Sequence, residues 1–372
     1  MNNKPAIAIV VPGGIGIDDY IPVLLELLCH LARPFDVSIY SFSEMDPHPS
    51  LASNFCTVHC APRKLKFNIL KAFYHIWKIR QDHAIKHFSI IHGFWIMLQG
   101  IVAVFAGKLL NIPSIVTLPG GDITYIPAIR YGSLSNHIKI MMSRWCVQHA
   151  SRVVTLTRYQ QTIMKQRGLV RSHIAIFPFG INLARFQFHP HPFAVPLQLM
   201  YIGNLNRVKD PWILIKTFHA LTKNSACRLT VIGSDVLNGQ VQEFARELGV
   251  EDLIRWMGKL RYEEIPSQLS SADILLMTSL YEGQSVAVME AFASGVVVVG
   301  TNVGVLADIG NEAVTVNPGD SDGLARKIEA LIHHPETISA LQIKNREYAE
   351  LFSSEWTFKE YTKLYNELII QK

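Results

Sequence analysis

Along this chain, short runs of β-branched and other apolar residues alternate with longer segments whose apolar positions recur every three or four residues. The first pattern predicts buried strands and the second amphipathic helices. In the first half the strand-like runs fall at Ala6–Val11, Asp36–Phe42, Ser89–His92, Ser114–Leu118, Arg152–Leu156 and Ile174–Phe177. The second half repeats the plan at Leu197–Ile202, Arg228–Ile232, Ile254–Met257, Ile274–Thr278, Val296–Gly300 and Ala313–Val316. Strands separated by helices imply βαβ units and parallel sheets. Two such sets predict an α/β protein of two doubly wound, Rossmann-like domains.

The two sets are separated by prolines. His189-Pro190-His191-Pro192 and Pro196 make a stiff stretch that no helix tolerates, which places a linker at 187–196. The predicted domains are 1–188 and 197–354. In the terminal segment 355–372, Phe358, Tyr361, Leu364, Tyr365 and Leu368 recur at helical spacing, and this helix is expected to pack back on the first domain.

Composition narrows the class. The 372 residues suffice for two domains. No apolar run approaches the length of a membrane-spanning helix, and the opening MNNKPAIAIVVPGG reads as a first strand rather than a signal peptide, so the expected location is the cytoplasm. Five cysteines form no disulfide framework. Cys56, His59 and Cys60 lie close together, but no second pair completes a zinc set, and no metal is expected. Charge is uneven: residues 1–190 carry 19 Lys and Arg against 8 Asp and Glu, whereas residues 191–372 carry 16 against 22. The basic half is suited to an anionic partner.

The densest chemistry lies in Ala272–Val305. A strand ends at Thr278, a loop SLYEGQ follows, Ser285 stands where a helix N-cap belongs, and Gly295 closes the helix Val286–Ser294. The amides of Gly283, Gln284, Ser285 and Val286 would lie at the positive end of that helix, where a diphosphate binds well. Glu282 and Glu290 frame the helix start, and carboxylates there can accept hydrogen bonds from sugar and ribose hydroxyls. In the preceding repeat, Gly203 ends a strand and Lys209 lies in the loop before Asp210-Pro211 opens a helix. A cation fixed beside a leaving diphosphate stabilises the transition state more than the ground state.

The spacing Glu282-x7-Glu290 inside the frame ADILLMTSLYEG…EAFASG…VVVGTNVG resembles the retaining glycosyltransferases of family 4, which have the GT-B fold. The resemblance implies that Glu282 contacts the donor sugar, that Glu290 holds the nucleotide ribose and that Lys209 grips the diphosphate. Three positions of the second half depart from the family. Gln284-Ser285 stands where Phe-Gly is usual, Asn204 stands where an Arg is usual, and Arg207 is the candidate to replace that charge. The loops at Gly233 and at Lys259–Arg261 match those that hold the base, which leaves UDP and GDP both open. In the first half, Pro12-Gly13-Gly14-Ile15-Gly16 looks like the family's glycine loop, placing Gly14 and Gly16 near donor phosphates. Pro119-Gly120-Gly121-Asp122 resembles the family's His-Gly-x-Asp with Pro119 in place of the His, which puts Gly121 and Asp122 on the acceptor side. His92 matches a family His, as a cleft residue or as a structural one.

The expected activity is therefore metal-independent transfer of a sugar from a UDP- or GDP-sugar to an acceptor hydroxyl, with retention, in a cleft between two domains and with no cofactor beyond the donor. Glu282, Lys209 and Asp122 are the expected catalytic residues. A glycan or lipid-linked acceptor in surface polysaccharide or glycolipid synthesis fits the basic half. The segment 63–88 interleaves Lys and Arg with Phe67, Phe73, Tyr74, Trp77 and Phe88 and can lie on the inner face of an anionic membrane. No nucleic-acid recognition motif accompanies it. The alternatives are a phosphorylase or sugar-nucleotide epimerase on the same fold, or a non-catalytic accessory subunit.

Overall fold

The computed structural model describes residues 4–371, which divide into two compact units. Unit 1 runs to Phe179 and resumes at Ser354; unit 2 is Gly180–Ser353. Met1–Asn3, in the expected first domain, and Lys372, in the expected terminal segment, lie outside the described residues.

Unit 1 holds β1 (Ala6–Val11), β2 (Asp36–Ser41), β3 (Thr57–Cys60), β4 (Ile90–Phe94), β5 (Ser114–Leu118), β6 (Arg152–Thr155) and β7 (Ile174–Ile176). They form one sheet in the order β3-β2-β1-β4-β5-β6-β7, every pair parallel. β1, β4 and β5 are buried at every position, as a sheet covered on both faces requires. The periodicity misses β3. Its four residues TVHC are partly exposed at the sheet edge and form no apolar run. The helix Ser354–Ile370 completes the unit, burying Tyr361, Leu364, Tyr365 and Leu368.

Unit 2 holds β8 (Leu197–Ile202), β9 (Cys227–Ile232), β10 (Ile254–Gly258), β11 (Ile274–Met277), β12 (Val297–Thr301) and β13 (Thr315–Val316). Their order is β10-β9-β8-β11-β12-β13, again all parallel. Leu214, Phe218, Leu229, Val231, Leu276 and Val299 belong to its core. In both sheets the order reverses direction once, at β1/β4 and at β8/β11. Such switch points open a crevice at the carboxyl ends of the strands.

The expected linker at 187–196 is not a free hinge. The chain enters unit 2 at Gly180, and the proline-rich stretch is bound to that unit as a strap. His189 N–H donates to the Ser294 carbonyl at 3.1 Å, and Ala194 N–H to Asp273 Oδ1 at 3.1 Å. Arg346 donates to the carbonyls of Ala293 at 2.7 Å and Phe186 at 3.3 Å. Prolines exclude a helix here without preventing the neighbouring amides from bonding.

Candidate functional site

In unit 2 the loops after β8 and β11 are sewn together at the switch point. Leu280 N–H donates to the Val208 carbonyl at 2.7 Å, and Thr278 Oγ1 to the Lys209 carbonyl at 2.8 Å. Asn206 Oδ1 accepts from Lys209 N–H at 3.1 Å and fixes the tight turn Arg207–Lys209. These bonds bring Lys209 Nζ to 2.5 Å from Glu282 Oε1, an oxygen that also accepts from Ser279 Oγ at 2.6 Å. Thr301 Oγ1, from the end of β12, holds the Ser279 carbonyl at 2.6 Å. The ammonium side chain keeps 25% of its surface in water, whereas the carboxylate keeps 11%. The pair is thus a reachable cation on a nearly buried anion. Beneath it, burial and then the Glu282 charge push the Tyr201 phenol well above its ordinary range.

A second seam joins the loops after β8 and β9. Gly233 sits at φ 146°, and a Cβ there would fall 2.0 Å from the Gly203 carbonyl oxygen, so only glycine fits. Asn204 Oδ1 accepts from Ser234 N–H at 3.2 Å. Where the resemblance puts an arginine, this chain has an exposed residue that braces the neighbouring loop. Arg207 is exposed in the same turn.

Helix Val286–Ser294 begins and ends where the sequence predicts. Its cap differs: Ser285 occupies the cap position at φ 81° and makes no side-chain capping bond. A non-glycine residue held there is strained, which is characteristic of functional loops. Gly304 makes room for the turn, since a Cβ on it would lie 2.7 Å from the Gln284 carbonyl and 2.8 Å from Glu282 Cβ. Gly283 and Gln284 are buried and Val286 half-buried. Glu290, one turn into the helix, is 4% exposed. Burial pushes its carboxyl up to about 7, against a hydrogen bond from Tyr262 and the nearby charge of Arg185. The Arg185 guanidinium lies 4.9 Å from the centre of the Tyr262 ring. Arg261 is exposed and paired with Glu264 at 3.2 Å. Ser279, Thr301, Tyr262 and Arg185 escape the sequence reading. Only the burial of their charged neighbours marks them.

Unit 1 treats its candidates differently. His92 has no exposed surface. Its Nδ1 is 2.6 Å from the Tyr365 hydroxyl and its Nε2 2.8 Å from Thr117 Oγ1, which in turn meets the Tyr361 hydroxyl at 2.9 Å. Burial pushes its imidazole down to about 3. Of the two roles the sequence leaves open for His92, the structure supports the structural one: both ring nitrogens serve the terminal helix and β5. Asp122 is 2% exposed and its Oδ2 accepts from Ile96 N–H at 2.8 Å. Burial raises its carboxyl to about 6 against amide bonds from residues 96, 120 and 122. It clamps the turn after β4, where Trp95 and Leu98 have φ 71° and 48°. Its Oδ2 thus positions that turn, while its Oδ1 is buried with no hydrogen-bond partner. Gly121 packs so tightly on the Tyr131 phenol that a Cβ would lie 2.7 Å away. Gly14, at φ 72°, accepts Ile21 N–H at 2.9 Å, and Gly16 N–H donates to the Asp19 carbonyl at 3.2 Å, so the glycine loop is a folded turn.

Among the described residues no group of three or more His, Cys, Asp and Glu is placed to hold a metal ion, and no helix is long and apolar enough to cross a membrane. His59 instead meets Asp82 at 3.2 Å.

Comparison with known proteins agrees with this architecture. Residues 22–185 match the family model Glycosyltransferase Family 4, and residues 188–348 match Glycosyl transferases group 1. A glycogen synthase of Mycobacterium tuberculosis is 24% identical over 254 residues, which is 66% of this chain and 61% of that protein, so the match leaves more than a third of the relative uncovered. Sucrose-phosphate synthase of Thermosynechococcus elongatus superposes with a TM-score of 0.80 at 18% identity, over 99% of this chain and 100% of that one. Anabaena HepE in complex with UDP and glucose gives 0.77 at 14% identity, over 98% and 100%. Two parallel-sheet units and these structural neighbours give the chain the GT-B fold, and each of its halves matches a glycosyltransferase domain model.

Proposed function

We propose that the protein transfers a sugar from a UDP- or GDP-sugar to an acceptor hydroxyl with retention of configuration, and that unit 2 binds the donor. The observation that carries this reading is the Lys209–Glu282 pair at the β8/β11 switch point, beside the N-terminus of helix Val286–Ser294. Lys209, with Arg207 in the same turn, neutralises the diphosphate as charge builds on it, and the amides of Gly283–Val286 receive its oxygens. Glu282 orients the sugar hydroxyls, and Ser279 and Lys209 hold its carboxylate in place. Glu290 takes the ribose hydroxyls, with Tyr262 and Arg185 setting its position and charge. These fixed cations and amides are the reading's reason for needing no metal. The UDP and glucose bound by the Anabaena neighbour support a nucleotide-sugar donor. Acceptor binding is assigned to the strand-end loops of unit 1, with a glycan or lipid-linked hydroxyl as acceptor.

The test is a thermal-shift panel with UDP, GDP, ADP and their sugar conjugates on the wild type and Glu290→Ala. Ligand at about 100 times its Kd adds about 2.7 kcal/mol. The expected result is a shift with one nucleotide family that disappears in the variant. Absence of any shift would overturn the donor site and favour a non-catalytic accessory subunit.

A further inference from the structure

The sheet of unit 1 has a cavity at the end that sugar transfer leaves unused. Ligands of open α/β sheets sit at the carboxyl ends of the strands. This cavity, of about 430 Å³, lies instead where β5 and β6 begin, between the ends of helices Ile101–Leu110 and His137–His149 and the end of the terminal helix. Its volume falls in the range of small-molecule sites.

Every ionisable side chain that lines it is basic: Lys108, His149 and Arg152. Lys108 Nζ lies 5.7 Å from the centre of the Trp145 ring, His149 Nδ1 donates to the Trp145 carbonyl at 2.8 Å, and Arg152 donates to the Ser151 carbonyl at 3.0 Å. Among the described residues none of the three forms an ion pair. Glu360 and Glu367 line an adjoining cavity that shares Arg152, and neither pairs with it. Basic residues often gather at helix ends to offset the carbonyl dipole. Here other groups take those carbonyls. Asn111 and Ile112 N–H close the first helix on the carbonyls of Lys108 and Gly107 at 3.4 and 2.9 Å, and the Arg171 guanidinium caps the second on those of Val147 and Ala150.

A second observation points to a ligand. Ser114, the first residue of β5, lines the cavity and is 3% exposed, yet its hydroxyl has no hydrogen-bond partner among the described residues. Gly107 keeps the space beside it open, since a Cβ there would lie 3.0 Å from Ser114 Cβ and 3.4 Å from its Oγ. A buried hydroxyl left unpaired costs free energy that an incoming acceptor oxygen recovers. We propose that this cavity binds a small phosphate monoester, with Arg152, Lys108 and the Ser114 hydroxyl on its phosphate oxygens and His149 adding charge when protonated. Guanidinium and ammonium groups both suit phosphate, and hydrogen bonds to it are charge-assisted. The volume exceeds what a bare phosphate fills and leaves room for a short organic body against Ile112 and Leu368. The site is independent of the donor chemistry in unit 2.

The experiment is calorimetric titration of the full chain with glycerol 3-phosphate, inorganic phosphate and glycerol, at one ionic strength set with sodium chloride. Glycerol 3-phosphate is expected to bind at a single site, more tightly than inorganic phosphate, and glycerol not at all. Lys108→Gln with Arg152→Gln should weaken binding at least about tenfold. Ser114→Ala should weaken it about fivefold and leave the thermal midpoint of the ligand-free protein unchanged, because that hydroxyl has no bond to lose. Lys209→Ala should keep the binding, which separates this site from the donor diphosphate. No binding of glycerol 3-phosphate, binding indifferent to both the double variant and Ser114→Ala, or binding abolished by Lys209→Ala overturns the proposal. Inorganic phosphate binding as tightly as glycerol 3-phosphate overturns it in favour of a simple anion site.

Discussion

In unit 1 the histidine on β4 is sealed between Thr117 and Tyr365, and the aspartate after β5 is clamped by amides. In unit 2 the lysine after β8 keeps a quarter of its side chain in water and holds a carboxylate that also accepts from the Ser279 hydroxyl. Both units are wound in one strand order, so topology puts polar residues at the same kind of position. What distinguishes them is whether water reaches those residues. Unit 1 seals His92 and Asp122 away, leaving Asp122 Oδ1 buried without a hydrogen-bond partner; unit 2 gathers charge and leaves one face of it accessible. Where a fold is repeated, the repeat whose strand-end groups remain reachable is the better place to look for ligand chemistry.

The comparison breaks most sharply at Lys209. Lys209→Ala should lower kcat about 10²- to 10³-fold, measured with the donor that the binding panel identifies, because the diphosphate loses its cation. A loss as large from His92→Ala, at a temperature where that variant is folded, would put chemistry back into unit 1. His92→Ala should instead cost about 2–4 kcal/mol of stability by denaturant midpoint, with nucleotide affinity unchanged, since it strips a buried hydroxyl network of its centre.

Two buried groups give opposite pH slopes. The Glu290 carboxyl is held near 7, above its unfolded value, so its contribution is fully present in acid and is lost as pH rises from about 4.5 through 7. Glu290→Gln should therefore stabilise the ligand-free protein at pH 8, by on the order of 3 kcal/mol at most, and leave it nearly unchanged at pH 4. The His92 imidazole is held near 3, below its unfolded value, so its contribution is present above about 6.5 and is lost as pH falls from there toward 3. His92→Gln should flatten the acid limb of the stability profile. Parallel profiles for wild type and both variants would remove burial as the cause. Smaller still, Tyr262→Phe should weaken nucleotide binding about fivefold, the worth of one hydrogen bond to Glu290. Arg261→Ala should change it less than about twofold; a larger loss would move the base contact onto Arg261.

Most strand positions, the helix Val286–Ser294 and the loops that carry Lys209 and Glu282 can be read from the sequence because each is written locally, in an apolar run, a closing Gly295 or a motif frame; the contact between those two side chains is not. β3 cannot be read this way, because an edge strand with one covered face needs no apolar run. Tyr262 and Arg185 reach Glu290 from segments far apart in sequence, and nothing in their neighbours' spacing announces it. At His92 the sequence leaves two roles open. A histidine at a strand end invites a ligand role, and only the burial of Tyr361 and Tyr365 beside it shows that its bonds are already filled.

The helix Ser354–Ile370 sets an order of events during synthesis. Unit 2 is complete once Ser353 has left the ribosome, but the sheet of unit 1 waits with His92 and Thr117 uncovered until Tyr361 and Tyr365 emerge. The first unit made is thus the last one closed. A nascent chain halted just before Ser354 should carry a finished unit 2 and a unit 1 open to proteases and chaperones.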